Sequence, residues 1–316
     1  MIPAAVRRLA PILVVIALAI APLVLDTYGT AVVTRILVYA LFAASLDLLV
    51  GVTGLPSLGH GAYFGTGAYA AGWLAMHVSA SAPIGLVAAM AAAAVVAVIA
   101  GSVAVRARGV FFLMLTLAIG EVVEQLAQSW HSVTNGSDGL YGIPAARLGD
   151  TALTDVADLA WYVLAVFVVG MVALRSLVRS PLGATLRGIR DNEPRMRALG
   201  YRTYHYKLAV FVIAGAVAGL AGGLLAQHHR LITPADLGFT GSAPMLLAVI
   251  IGGEATLWGP CVGAAVVVIL RDVLGPSLGG HGPLVLGAVF VATVFLMPGG
   301  LARLGGFARV GRRGAA

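Results

Sequence analysis

Long apolar runs, separated by short polar stretches, follow one another along almost the whole chain. A helix needs roughly 20 apolar residues to cross the hydrocarbon core of a bilayer. The pattern therefore predicts an all-α, polytopic integral membrane protein with about 10 spans, or about eight if two segments are re-entrant. The predicted spans lie at 9–25, 31–52, 58–76, 84–105, 110–130, 159–178, 207–227, 242–253, 257–274 and 283–296.

Two of these runs are interrupted. The run 242–253 is too short to cross a bilayer alone, ends in two glycines and is soon followed by Gly259-Pro260. We therefore expect a broken or re-entrant helix there. The run 58–76 contains five glycines, which also indicates irregular backbone.

The first run follows Arg7 and Arg8 and so resembles a secretory signal peptide, with a possible cleavage site at 19–21. Pro22 comes directly after that site, and the apolar run continues beyond it. We therefore expect an uncleaved first span.

Composition narrows the class of protein. Hydrophobic residues make up 60% of the 316 and charged residues only 10%, whereas a soluble domain has about 25% charged residues. This excludes a disordered chain, a soluble enzyme and a disulfide-rich secreted module. We expect one transmembrane domain over 1–302 and a basic tail at 303–316. No catalytic triad, metal-ligand spacing or phosphate-binding loop is present in the sequence, and Cys261 is a lone cysteine, so we expect no catalytic residue, metal or cofactor.

Charge predicts the topology. The net charge is +7, but the basic residues sit between apolar runs, which indicates membrane orientation rather than nucleic-acid binding. With ten spans, the basic clusters at 7–8, 106–108, 175–207 and 303–313 all fall on one side. The loop 131–158, with one Arg and four Asp, falls on the other. We therefore expect both termini in the cytoplasm of a bacterial inner membrane and an external loop at 131–158.

The segment 180–206 reads SPLGATLRGIRDNEPRMRALGYRTYHY. Ser180 suits a helix N-cap and Pro181 the first helical position. Leu182, Leu186 and Ile189 recur at helical spacing, and a proline further on restarts the chain. A loop that only fixes topology needs no capped helix with an apolar stripe, so we predict a cytoplasmic helix that docks into a partner's groove.

This segment resembles the cytoplasmic coupling segment of the branched-chain amino acid permeases of ABC importers, S-P-x-G-R-A-x-R-A-I-R-x-N-E followed by A-L-G. Five further blocks resemble that family in order, at 54–65, 108–117, 134–140, 252–260 and 297–301. The block that begins Arg108-Gly109 is typical of the M-type subunit. The matching residues of the coupling segment are Ser180, Pro181, Gly183, Arg187, Ile189, Arg190, Asn192, Glu193, Ala198, Leu199 and Gly200.

The resemblance implies the ABC importer permease fold and a transport subunit for branched-chain or related amino acids. It also implies a second homologous permease (a copy or a distinct chain), two cytoplasmic ATP-binding subunits and an external solute-binding protein. ATP hydrolysis would belong to the partners, and nucleic acid would have no part. Two alternatives stay open: an ABC permease for urea, amides or aromatic acids, and an ion-coupled secondary transporter that uses Asp47, Glu121 or Glu254.

A zwitterionic solute needs a path lined by polar side chains or exposed backbone. We expect that path at the glycine-rich interruptions and at a polar stripe on the fifth span; the alternatives are helix packing, a coupling-side turn and an ordinary membrane exit. The path candidates are Ser57, Gly59, His60, Tyr63, Glu121, Glu124, Gly252 and Gly253. The external turn offers candidates for docking or gating by the binding protein, or forms a plain structural turn; these candidates are Thr134, Gly136, Ser137 and Asp138.

Overall fold

Twelve helices account for most of the residues that the computed structural model describes, which are 4–275, 281–296 and 299–301. The helices are α1 (Ala4–Val24), α2 (Thr27–Asp47), α3 (Gly61–His77), α4 (Ala82–Ala104), α5 (Val110–Ser129), α6 (His131–Thr134), α7 (Val156–Arg179), α8 (Pro181–Ala198), α9 (Thr203–His229), α10 (Phe239–Gly252), α11 (Trp258–Val268) and α12 (Gly282–Leu296). Wide π-helical turns extend α2 over Leu48–Thr53 and α11 over Ile269–Leu274. The predicted basic tail lies outside the described residues.

The prediction of a polytopic all-α protein is confirmed. Within the described residues, six helices are long and apolar enough to cross a bilayer. They are Thr27–Thr53, Ala82–Ala104, Val110–Ser129, Val156–Arg179, Thr203–His229 and Pro234–Gly252. Helices α1, α3, α11 and α12 occupy the other predicted spans.

The broken helix expected around 242–253 is present, but its helical segment starts earlier than predicted. Helix α10 begins at Phe239, and the 3-10 turn Pro234–Asp236 lengthens the helical segment to 19 residues. The sequence did not reveal this start, because Ser242 and Pro244 interrupt the apolar run in the first turns of the helix. The Ser242 hydroxyl is used inside the protein, where it accepts a hydrogen bond from the Gly61 amide at 2.7 Å.

Helix α2 forms the centre of the bundle and packs against α7, α9, α10 and α11. Every residue from Leu37 to Leu49 is buried, as expected for a helix that is apolar on all sides. At its end the chain passes through the π-helical turn to Gly54, which adopts a left-handed conformation with φ 74°. This turn brings the end of α2 next to α8.

Glycine and alanine allow α3, α4 and α9 to pack at close range. A Cβ at Gly67 would overlap the Gly219 backbone, and one at Gly222 would overlap the Phe64 carbonyl. Small residues are the usual device for close helix contact in lipid, where hydrophobicity alone does not drive association. The structure therefore supports helix packing as the role of these glycines.

The two ends of the bundle differ in charge. Helix α7, with 24 residues, runs about 36 Å from the loop 131–158 to α8, which places these segments at opposite ends. At the loop end, β1 (Leu140–Tyr141) pairs with β4 (Leu231–Ile232), and β2 (Arg147–Leu148) pairs with β3 (Thr151–Ala152). The other end, which carries the basic residues of α8 and its neighbours, is called the basic end.

We expect Gly222→Ala to lower the free energy of unfolding by about 2 kcal/mol, because its methyl group meets backbone that cannot move aside. Gly287→Ala is the control, since a Cβ there meets nothing within 4 Å and alanine favours a helix. Thermal unfolding of both variants in detergent measures the difference. Equal loss of stability in the two variants would contradict the packing role.

Candidate translocation path and coupling end

Local hydrogen bonds confirm the predicted start and restart of α8. The Ser180 hydroxyl accepts a hydrogen bond from the Gly183 amide at 3.4 Å, and Pro181 occupies the first helical turn. Asn192 interrupts the helix with φ −158° and ψ 91°. Its side-chain oxygen accepts a hydrogen bond from the Arg195 amide at 2.9 Å and so caps a second short helical stretch.

The apolar stripe of α8 faces the chain's own bundle. Leu186 is fully buried and Ile189 is 4% exposed, and a Cβ at Gly183 would overlap the Val178 carbonyl. The apolar stripe is therefore not the surface that α8 offers to a partner, and docking of the helix itself stays a prediction. Because α8 follows α7 after the single residue Ser180, its apolar face turns back onto the helices beside it.

Arg187 and Arg190 also point toward the bundle. Arg187 Nη1 donates a hydrogen bond to the Val178 carbonyl at 2.8 Å. Arg190 Nη1 donates to the Gly51 carbonyl, and its Nη2 lies 3.6 Å from Glu254 Oε1. These arginines fix α8 to the bundle as well as carrying positive charge.

Glu193 ties α8 to the first turn of α9. Its Oε1 lies 3.2 Å from Lys207 Nζ and 2.7 Å from Arg197 Nη2, and it accepts a hydrogen bond from the Thr203 hydroxyl at 3.1 Å. Partial burial alone would raise the pKa of Glu193, but its bonds with Lys207, Arg197 and Thr203 outweigh burial and leave the pKa below its ordinary value. The carboxylate is therefore charged at neutral pH and pairs with a lysine whose side chain is only 4% exposed.

A different face of this segment is open to solvent. Leu199 is 66% exposed at its end. The other exposed residues in this part of the segment are Asp191, Asn192, Pro194, Arg195, Arg197, Ala198 and Gly200.

Ser57 and His60 lie in the bundle interior with polar atoms that have no hydrogen-bond partner among the described residues, namely Ser57 Oγ and His60 Nδ1. The Ser45 hydroxyl donates to the Phe42 carbonyl at 2.7 Å, so its oxygen must accept the 3.0 Å bond from His60 Nε2. Nδ1 is therefore the unprotonated, hydrogen-bond-accepting nitrogen of the ring. The ring stacks on Phe42, and Tyr63 meets it edge-on.

The chain around His60 is held by α5 and α10. A Cβ at Gly59 would overlap the Thr116 carbonyl in α5, and the Thr116 hydroxyl accepts a hydrogen bond from the Leu58 amide at 3.3 Å. Gly61 is bonded to Ser242 of α10, as described above. The predicted span 58–76 is thus broken, and its helix begins only at Gly61.

The carboxylates of α5 lie beside the start of α10. Glu121 Oε1 accepts a hydrogen bond from the Phe239 amide at 3.0 Å, and Glu124 Oε1 accepts one from Gln128 Nε2 at 3.0 Å. Through Phe239 and Ser242, the same turns of α10 contact both the Glu121 stripe and the backbone at Gly61. The structure therefore brings six of the eight path candidates together.

Gly252 and Gly253 lie elsewhere. Helix α10, with 14 residues, carries them about 20 Å from Phe239 to the basic end. A Cβ at Gly252 would overlap the Gly259 carbonyl. These glycines therefore belong to the turn between α10 and α11 beside Arg190, which supports the coupling-side turn among the alternatives for this block.

The turn at 134–138 is held from within. The Thr134 hydroxyl donates to the Trp130 carbonyl at 2.7 Å, and Gly136 takes a left-handed φ of 63°. Both residues are buried, whereas Ser137 and Asp138 are exposed. Of the four candidates, Ser137 and Asp138 are therefore the two that can offer their side chains to a partner without rearrangement.

Sequence reasoning missed the long-range partners of these residues. The sequence around Thr116 and Ser242 gave no indication of these contacts, since a hydroxyl in an apolar run does not reveal its partner. Lys207 carried one signal, because it is the only lysine in the chain. Asp272 pairs with its neighbour Arg271 at 3.1 Å and with Arg35, 237 residues away in the sequence, at 2.8 Å.

Known permease components of amino acid transport systems are similar to this chain. The family model for the permease component of branched-chain amino acid transport systems matches residues 29–297. The permease protein LivM of the high-affinity branched-chain amino acid transport system of Salmonella typhimurium is 25% identical over 303 residues, which cover 89% of this chain and 71% of that protein. LivM of Escherichia coli K12 is 27% identical, over 85% of this chain and 69% of that protein. LivH of Escherichia coli K12 is 24% identical, over 83% of this chain and 90% of that protein.

No solved structure matches the chain. The family model nevertheless spans nearly all of the helical bundle, including α8, the interruption at 54–60 and the α10–α11 turn. The chain therefore belongs to the permease-component family of branched-chain amino acid transport systems and is a LivM-like, membrane-spanning subunit of an ABC importer.

Proposed function

We propose that this chain moves branched-chain amino acids across the bacterial inner membrane as one of two paired permease subunits. Two ATP-binding subunits contact its basic end, and a solute-binding protein delivers the solute at the opposite end. The observation that carries the proposal is α8, a capped and kinked helix fixed to the basic end by Leu186, Arg190 and Glu193. Its polar face is left open for a partner.

Charge supports the orientation. Basic residues concentrate on the cytoplasmic side of membrane proteins, so we assign the basic end to the cytoplasm and expect both termini on that side. The loop 131–158 and its short strands then lie outside. Ser137 and Asp138 are the exposed residues there that fit docking or gating by the solute-binding protein.

The contact with the ATP-binding subunits is made by the exposed end of α8. Leu199 is 66% exposed, and Asp191 and Arg195 of the same segment are exposed as well. Protein interfaces combine an apolar centre with a polar, solvent-accessible rim, and Leu199 fits the apolar centre. The residues Ser180, Pro181, Gly183, Arg187 and Ile189 support that surface by fixing α8 to the bundle.

The solute path runs beside α5. Glu121 lies in the middle of this spanning helix and is exposed, as is Gln125. A carboxylate in mid-membrane does not face lipid, so this face is covered by the second permease and lines a shared polar path. The unpartnered Ser57 hydroxyl and His60 Nδ1 lie next to it and offer a donor and an acceptor to a zwitterionic solute.

The first test is assembly. We expect Leu199→Asp to abolish co-purification of the ATP-binding subunit in mild detergent, because a charge in an apolar docking pocket costs about 2 kcal/mol or more. Leu148→Asp is the matched control, since Leu148 is 50% exposed at the opposite end. An ATP-binding subunit that stays bound to Leu199→Asp would contradict the docking assignment.

The second test concerns the path. We expect Glu121→Gln to lower the rate of radiolabelled leucine uptake by about tenfold, because a charged group that loses its charge forfeits about 1.5 kcal/mol or more. Glutamine can still accept the Phe239 amide, so the α5–α10 contact is kept. Asp150→Asn, at an exposed external turn, controls for loss of a negative charge. Parental uptake in Glu121→Gln would remove the stripe from the path.

A further inference from the structure

The turn between α10 and α11, residues 253–257, has an unfavourable backbone. Ala255 and Leu257 have φ values of 63° and 60°, and Gly253 has 101°. The left-handed region suits glycine, but it is costly for a residue with a side chain. A turn with such residues at two of five positions persists only when its surroundings hold it.

Asp47 holds the turn 253–257 in this conformation. It is the last residue of α2 and fully buried. Its Oδ1 accepts a hydrogen bond from the Ala255 amide at 2.7 Å, and its Oδ2 accepts one from the Leu257 amide at 3.0 Å. A Cβ at Gly51 would overlap the Ala255 amide. The end of α2 and the turn therefore fit together as one unit.

Arg190 joins this unit to α8. Its guanidinium donates a hydrogen bond to the Gly51 carbonyl on the α2 side and lies 3.6 Å from Glu254 on the turn side. A Cβ at Gly54 would come within 3.0 Å of Arg190 Cγ. One side chain of α8 thus contacts both halves of the unit.

The turn leads directly to the candidate path. Helix α10 runs from this turn to Phe239 and Ser242, which bind Glu121 and the Gly61 amide. A displacement at the turn therefore moves the helix that closes the polar region around His60. The second half of α2, which is buried from Leu37 onward, offers a fixed support against which α10 can move.

We propose that the junction formed by Asp47, Gly51, Arg190 and the turn 253–257 carries the motion of α8 into α10 and α11. Asp47 is then a positioning residue for energy coupling, and the strained turn relaxes when α8 withdraws Arg190. The inference rests on the proposed function of α8 as the ATPase-coupling segment. It adds the route by which the motion reaches the path.

The test uses the whole transporter, assembled with its partners in vesicles, with radiolabelled leucine as the probe. Asp47→Asn keeps one acceptor oxygen and turns an N–H group toward an amide that needs an acceptor. We expect ATP hydrolysis to continue while the leucine transported per ATP falls by about tenfold, since one charged hydrogen bond is lost. Asp26→Asn is the matched control at the other end of α2, where Asp26 caps the helix and asparagine caps equally well.

A second variant covers the case in which Asp47→Asn does not assemble. Ala255→Gly removes no hydrogen bond and makes the left-handed conformation favourable, so the turn no longer relaxes readily. We expect normal assembly and a several-fold slower leucine uptake at unchanged ATP hydrolysis. Ala145→Gly, in the loop at the far end, is the control.

If Asp47→Asn transports as much leucine per ATP as the parent, the proposed role of the junction is wrong. If Asp47→Asn does not assemble, leucine uptake at the parental rate in Ala255→Gly has the same consequence. That result leaves the proposed function intact, because the loss of the ATP-binding subunit in Leu199→Asp tests α8 independently. Retention of that subunit in Leu199→Asp would instead count against the function itself.

Discussion

A bilayer offers no hydrogen bonds to the backbone, so every break in a spanning helix must find its partners inside the protein. This constraint explains the polar residues that are scattered through an otherwise apolar chain. The break before α3 is satisfied by the hydroxyls of Thr116 and Ser242. The break between α10 and α11 is satisfied by the carboxylate of Asp47. Side chains from distant parts of the sequence thus make these interruptions stable.

The two breaks have different neighbours and hence different consequences. The first lies in the bundle interior beside unpartnered polar atoms of Ser57 and His60, which belong to the proposed solute path. The second lies at the basic end beside Arg190, where α8 is fixed. Helix α10 connects them, with its start at the first break and its end at the second. A permease that couples cytoplasmic ATP hydrolysis to a mid-membrane path needs a connection of this kind. The family match, rather than the bonding of Asp47, decides against the alternative of an ion-coupled secondary transporter.

Local features of the fold could be predicted from the sequence. Apolar runs located the spans, and Ser180, Pro181 and the later proline located the start and restart of α8. These features depend on residues within a few positions of one another. The sequence did not reveal what covers each face of these helices. The stripe through Leu186 and Ile189 is equally consistent with a partner's groove and with the chain's own bundle, and only the short connection after α7 decides between them. The partners of Asp47 lie 208 and 210 residues away, and a single sequence carries no signal for pairs at that distance.

The central claim is that α8 acts on the path through the turn 253–257. Hydrogen exchange in the assembled transporter tests this most directly, because the amides of Ala255 and Leu257 are held by a buried carboxylate and should be protected without nucleotide. When ATP closes the ATP-binding subunits, we predict that these amides exchange at least about tenfold faster, together with the amides of α8. Unchanged protection at 253–257, while the amides of α8 respond to nucleotide, would contradict the account.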